Sequence, residues 1–123
     1  MNRNDLTYRA RRRLSDVADR AGREATDHVD GDDVERARTL ATDLAGSDDL
    51  LRGAVQASVT LDTRANERRE AINERGGDPF EDDVLASLRE AREAAREAVD
   101  HRLEEVADEA VDYAAREAVG AEQ

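Results

Sequence analysis

Three groups of residues have the types and spacing to do chemistry. The first is a basic block, "YRARRRL" (residues 8–14), which sets Arg9, Arg11, Arg12 and Arg13 close together. Guanidinium groups so arranged are forks for phosphate or carboxylate oxygens. The second is the pair of histidines, His28 and His101, each placed five residues after an arginine: "REATDH" (23–28) and "REAVDH" (96–101). Histidine titrates near neutrality and is the commonest general acid or base. The third is the acidic turn "DHVDGDD" (27–33), a collection of oxygen donors. It lacks the alternating Asp/Asn spacing and closing Glu of a calcium loop, so no specific metal is expected there. Gly76-Gly77 is followed by Asp and has no Lys, which excludes a phosphate loop of the usual kind. "TLDTR" (60–64) holds hydroxyls and an acid but no base to make a nucleophile. The chain has no cysteine, so disulfides, thiolate chemistry and cysteine metal sites are excluded.

The repeated Arg-x-x-x-x-His pattern resembles the short motif of HEPN-type ribonucleases, all-helical dimers in which the arginine and histidine act on RNA. The resemblance covers six residues at a time and implies Arg23 with His28, or Arg96 with His101, as the acting pair. Glu follows the arginine in both copies, where that family has an uncharged polar residue or Asp. Five residues along a helix is a rotation of about 140°, so Arg96 and His101 point apart if they share one helix. Exposed histidines on helix surfaces account for both copies, and a non-enzyme is the expected reading, with no catalytic residue and no cofactor.

The arginine block is the stronger lead because of what surrounds it. The formal net charge is −12, from 31 acids against 19 basic residues, and every basic residue is Arg. This balance resembles the proteins of extreme halophiles, whose cytoplasm holds molar salt. There the Debye length is about 3 Å and the self-repulsion of such a chain is screened. Stability is therefore expected to need high salt, K⁺ above all. Cations in the first turn of a helix oppose its dipole, so the block Arg9, Arg11, Arg12 and Arg13 calls for an outside anion. An acidic protein surface fits best, the C-terminal stretch 100–123 of this chain or of a neighbour being one source. Nucleic acid is the second choice, because aromatics are 2% of the chain and molar salt weakens a purely ionic grip on phosphate.

The elements that carry these groups are helical. Leu6, Ala10, Leu14, Val17, Ala21 and Ala25 recur every three or four residues and define a first helix over about 5–27. A second, about 33–45, starts behind Asp32 or Asp33 and carries Val34, Ala37, Leu40, Ala41 and Leu44 inward. A third, about 48–74, has Ser47 as its cap and Leu51, Ala54, Val55, Ser58, Leu61, Ala65 and Ile72 on its buried side. "GGDPFEDD" (76–83) reads as a helix start, with Asp78 as cap, Pro79 in the first turn and Glu81 completing a capping box. From Pro79 to Val119 there is no Gly or further Pro. Val84, Leu88, Ala91, Ala95, Val99, Leu103, Val106, Ala110 and Tyr113 form its apolar stripe.

The expected fold is all-α: one domain over 1–123, four helices, the last long (about 79–119), and elongated in shape. The core is thin, since Leu, Val, Ile and Phe together number 22 of 123 and alanine alone another 22. A helix of some 40 residues is about 60 Å long, against a diameter of roughly 35 Å for a compact chain of this size. The excess is expected at the C-terminal end, where Leu103, Val106, Ala110 and Tyr113 would meet another subunit or a helical protein partner. No apolar run suits a membrane span, and a cytoplasmic or virion-borne protein is expected. The functional expectation is a structural or assembly protein, a ring, connector or scaffold component. A small nucleic-acid-associated regulator using the arginine block is the alternative.

Overall fold

Three of the α-helices described below begin where a side-chain oxygen takes up a free amide of the first turn. The computed structural model describes residues 6–29 and 31–122, with side chains described as far as Glu117. Asp5, the expected first helical residue, lies outside them, as do Asp30 and the ends of the domain expected over 1–123. Thr7 accepts from the Ala10 amide at 3.2 Å and opens α1, Tyr8–Thr26. A 3-10 turn at Gly31–Asp33 leads into α2, Val34–Ser47, where Asp33 makes no capping bond. Asp48 accepts from Leu51 at 2.8 Å and opens α3, Asp49–Glu74. The expected cap, Ser47, instead ends α2 and donates its hydroxyl to the Asp43 carbonyl. The carboxylate at the next position outcompetes it for the amides.

The start of the last helix also moves. Asp78 caps only a 3-10 turn, Pro79–Glu81, accepting from Phe80 at 2.9 Å. Asp82 then accepts from Leu85 at 2.7 Å and opens α4, Asp83–Glu122. Asp82 prevails because Arg68 grips both its oxygens, at 2.7 and 3.0 Å, fixing the carboxylate where the amides need it. α3 closes with the paired bonds of a Schellman motif, Gly77 N–H to Ile72 O and Gly76 N–H to Asn73 O. Gly76 supplies the left-handed residue this needs, with φ of 72°.

The fold is all-α with a long C-terminal helix, 40 residues or about 60 Å. α1 and α2 pair with each other, and both lie on the C-terminal half of α4. Their contact is made by small residues: Ala18, Ala21 and Ala25 face Ala37, Ala41 and Ala45, all buried. Gly22 sits against Thr42 and Arg38 with no room for a Cβ. The main core adds Leu14 and Val17 of α1, Leu51, Val55 and Val59 of α3, and Val99, Leu103, Val106 and Ala110 of α4. A second, smaller cluster holds Ala65, Ile72 and Leu85, with Leu88 packed on it, and takes nothing from α1 or α2. The outer halves of α3 and α4 thus run on as a two-helix hairpin past the part where all four helices meet.

This places the excess length opposite to expectation. Leu103, Val106 and Ala110 are 2%, 1% and 0% exposed inside the chain's own core. α1 and α2 clothe the C-terminal half of α4, and the uncovered portion is its N-terminal half. The stripe on that half is also displaced. Val84 is 52% exposed and Ala91 exposed, while Leu85 is buried against Ile72. Leu44 at the end of α2 is exposed too, its place in the core taken by Ala45.

Candidate interaction surface

The first turns of α1 lie along the middle of α3, tied by the Thr7 N–H donated to Gln56. This alignment settles where the arginine block goes. Arg13 reaches across to α3, donating to Asp62 at 2.7 Å and Ser58 at 3.1 Å. Arg9 donates to the Thr63 hydroxyl at 3.3 Å. Arg12 lies over the ring of Tyr8, 5.9 Å from its centroid, a cation–π contact. Arg11 is exposed and has no ionic partner among the described residues. The acid that answers the block is thus a buried residue of its own chain, Asp62, taken up by one arginine of the four. Among the described residues the other three guanidinium groups have no acid beside them.

Asp62 gathers more than Arg13. From α4, Arg96 donates to it at 3.3 Å and Arg92 stands at 3.6 Å, with its Nε buried and without a hydrogen-bond partner. One nearly buried carboxylate therefore joins α1, α3 and α4 through three arginines, as a polar layer between the two apolar clusters. Sequence reasoning missed it. The available signal was position: Ser58, Asp62 and Ala65 fall four and three apart on the inward side of α3, so an acid there must be paired. Beside this layer lies an open cleft of about 380 Å3 lined by Arg13, Arg20 and Arg96, and by Asp16 and Asp100. Arg20 pairs with Asp100 at 3.2 Å. With Asp62 behind the wall, the cleft's charges balance, so it is not built for a free anion.

A second ionic join lies at the start of α3. Arg102 of α4 clamps Asp48 with bonds of 2.6 and 2.9 Å, and also reaches Glu105 and Glu109. The Arg102 hydrogen bonds, helped by the Leu51 amide and opposed by burial, hold the Asp48 carboxyl below its usual range, and Asp48 pushes Arg102 up. The Asp82 carboxyl is lowered to about 2, first by Arg68 and then by the Leu85 amide.

Arg96 and His101 have separate partners. Arg96 is engaged by Asp62 and Glu93, whereas His101 faces Glu105 at 3.1 Å. His28 sits past the end of α1 in a shallow cleft with Val29, Asp33, Val111 and Ala114. Among the described residues no three His, Asp or Glu side chains converge on a point where a metal ion could sit, and no helix is long and apolar enough to cross a membrane.

Six large apolar side chains are exposed among the described residues: Phe80 and Val84 on the hairpin, and Tyr8, Leu44, Leu50 and Tyr113 elsewhere. Phe80 at the hairpin tip is 88% exposed and Val84 follows at 52%, and Leu50 at the start of α3 is 68% exposed. Of the residues expected to bind a partner, Arg9, Arg11, Arg12 and Tyr113 are exposed, and Leu103, Val106 and Ala110 are internal. Comparison with protein-family models, curated proteins and solved structures finds no match.

Proposed function

We propose that this protein is a non-enzymatic helical assembly component that works by association through a helix surface, in a salt-rich cytoplasm or a virion. The observation that carries this reading is the hairpin formed by the outer halves of α3 and α4. It extends past α1 and α2 and ends in the exposed Phe80 and Val84. A two-helix hairpin with so small a cluster of its own gains stability by lying against something else. The acid excess supports a molar-salt setting, where apolar contacts strengthen and surface charge repulsion is screened.

The test is mass measured by light scattering after size exclusion in about 2 M KCl. A species well above 13.6 kDa is expected. A compact particle of 13.6 kDa at every concentration overturns the reading.

A second reading, nucleic-acid association, draws on Arg9, Arg11 and Arg12, the three members of the block with no acidic partner among the described residues. Its test is duplex DNA and RNA titrated at several KCl concentrations. Loss of binding in the Arg9, Arg11, Arg12→Ala variant supports it, and unchanged binding removes it.

A further inference from the structure

The first turn of α1 and residues 56–67 of α3 wall an open cleft of about 500 Å3, within the size range of small-ligand sites. Two guanidinium groups reach it, Arg9 from α1 and Arg64 from α3. Arg9 donates to the Thr63 hydroxyl, and Arg64 has no ionic partner among the described residues. Of the described residues that line the cleft, Glu67 alone is acidic, in a chain where acids outnumber basic residues 31 to 19. The polar capacity left over is for donating. Gln56 accepts from the Thr7 amide and gives one amide proton to the Thr60 hydroxyl oxygen at 3.2 Å. Its other amide proton, and the hydroxyl proton of Thr60, have no acceptor among the described residues. Val59, 4% exposed, adds apolar lining. Tyr8 also lines the cleft and is 69% exposed. Arg12 stands over one face of its ring, which leaves the other open to a planar group. The Ala10 amide is taken up by Thr7, so these side chains, and not the end of the helix, make the site.

We infer that this cleft binds a nucleoside phosphate, with the phosphate on Arg9 and Arg64 and the base stacked on Tyr8. Charge, hydrogen-bonding capacity and shape each support it. Arg9, Arg12 and Arg64 against Glu67 leave the cleft and its edge positive, and a phosphate monoester brings about 1.5 to 2 negative charges at neutral pH. The neighbouring cleft at Arg13 and Arg96 balances its charges; this one does not. Phosphate oxygens only accept, which suits a lining with protons to spare, and guanidinium forks hold such oxygens in pairs. An open aromatic ring beside apolar lining suits a base, since every base has a π-face. In molar salt charge alone gives little, so charge-assisted hydrogen bonds and stacking supply the affinity. The site stands apart from the association reading. It rests on arginines of the nucleic-acid reading and deepens that reading by naming the unit held. The same chemistry is offered by a free mononucleotide and by the phosphate end of a single strand, and the two differ in how binding depends on length.

The test is calorimetric titration of adenosine 5′-monophosphate into the chain in about 2 M KCl. One saturable site per chain is expected, with adenosine alone and inorganic phosphate alone each binding more weakly. Tyr8 and Arg64 are exposed, so replacing them should keep the helical circular dichroism of the parent. Arg64→Ala should weaken the nucleotide about 10-fold, through the loss of charge-assisted bonds. Tyr8→Ala should weaken it about 10-fold as well and leave phosphate binding unchanged. A 5′-phosphorylated oligoadenylate that binds no tighter marks the free nucleotide as the ligand. One that binds more tightly with length, still through Arg64 and Tyr8, marks a strand, and either result upholds the cleft. No saturable binding of nucleotide or oligoadenylate overturns the inference. Oligoglutamate held through Arg64 in preference to the nucleotide overturns it too, in favour of an acidic protein. Binding indifferent to Arg64→Ala and Tyr8→Ala overturns the cleft; if that binding is still lost in the Arg9, Arg11, Arg12→Ala variant, the nucleic-acid reading stands without it.

Discussion

Arg102 holds both oxygens of Asp48, at 2.6 and 2.9 Å, while the same carboxylate caps α3 through the Leu51 amide. One side chain thus starts a helix and anchors it to the middle of another. Asp48→Ala removes a cap, about 1 kcal/mol, and leaves a largely buried guanidinium without its main partner, adding about 1–2 kcal/mol. Asp48→Asn keeps the cap and loses the ionic bond, so it should cost about half as much. Urea unfolding of both variants in constant KCl measures the difference. Equal losses would contradict the two-role account.

Acid should weaken a different join. The Asp82 carboxyl lies at about 2 in the folded chain against 3.8 when free. A carboxylate so lowered stabilises the fold above its free value, and that contribution is lost as pH falls through the folded value. Asp82→Asn should therefore be less stable than the parent at pH 7. The gap should narrow from about pH 4 and close by about pH 2. Denaturant titrations at a series of pH values follow it, and a gap of constant size would refute the assignment.

At the polar layer, the two charges of the Asp62–Arg92 contact should behave in opposite ways. Asp62→Leu strands Arg13, Arg92 and Arg96, and should cost about 3 kcal/mol. Arg92→Leu leaves Asp62 with two guanidinium partners, removes a buried Nε that lacks a bond, and extends the apolar seam. It should be neutral or stabilising by about 1 kcal/mol. Thermal unfolding of the two variants side by side is sufficient.

Gly22→Val should be among the most damaging changes at any glycine. The new side chain would meet Thr42 and the Arg38 backbone, driving α1 from α2 at a cost of about 2–3 kcal/mol. Gly53→Ala, with open space around it, should be neutral or stabilising by a few tenths of a kcal/mol, since alanine favours helix. Similar effects at both positions would deny the close approach.

The helices and most of the inner residues were legible because period and burial coincide: Leu14, Val17, Ala21, Val55, Val99 and Leu103 all lie where three- and four-residue spacing puts them. The outer half of α4 was misread by one position, Val84 for Leu85. With alanine at 86, 91, 94 and 95 several stripes compete, and only contact with Ile72 decides among them. The close approach at Gly22 has no local signal, because its neighbours Thr42 and Arg38 are far off in sequence. Arg13 and Asp62 are each ordinary in their local setting. Their pairing depends on α1 starting level with the middle of α3, a register no local pattern encodes. For the same reason the covered end of α4 was taken for the bare one.

The Asp62 layer lies between two apolar clusters of unequal size, so the two parts should open as cooperative units of unequal strength. Amide protons of residues 66–90 should exchange with solvent by local unzipping of the hairpin, while those of 99–114 wait for global opening and exchange orders of magnitude more slowly. A lone chain would then hold one persistent half and one that opens and shuts around Ile72 and Leu85, and docking would turn the second into a permanent part of the fold.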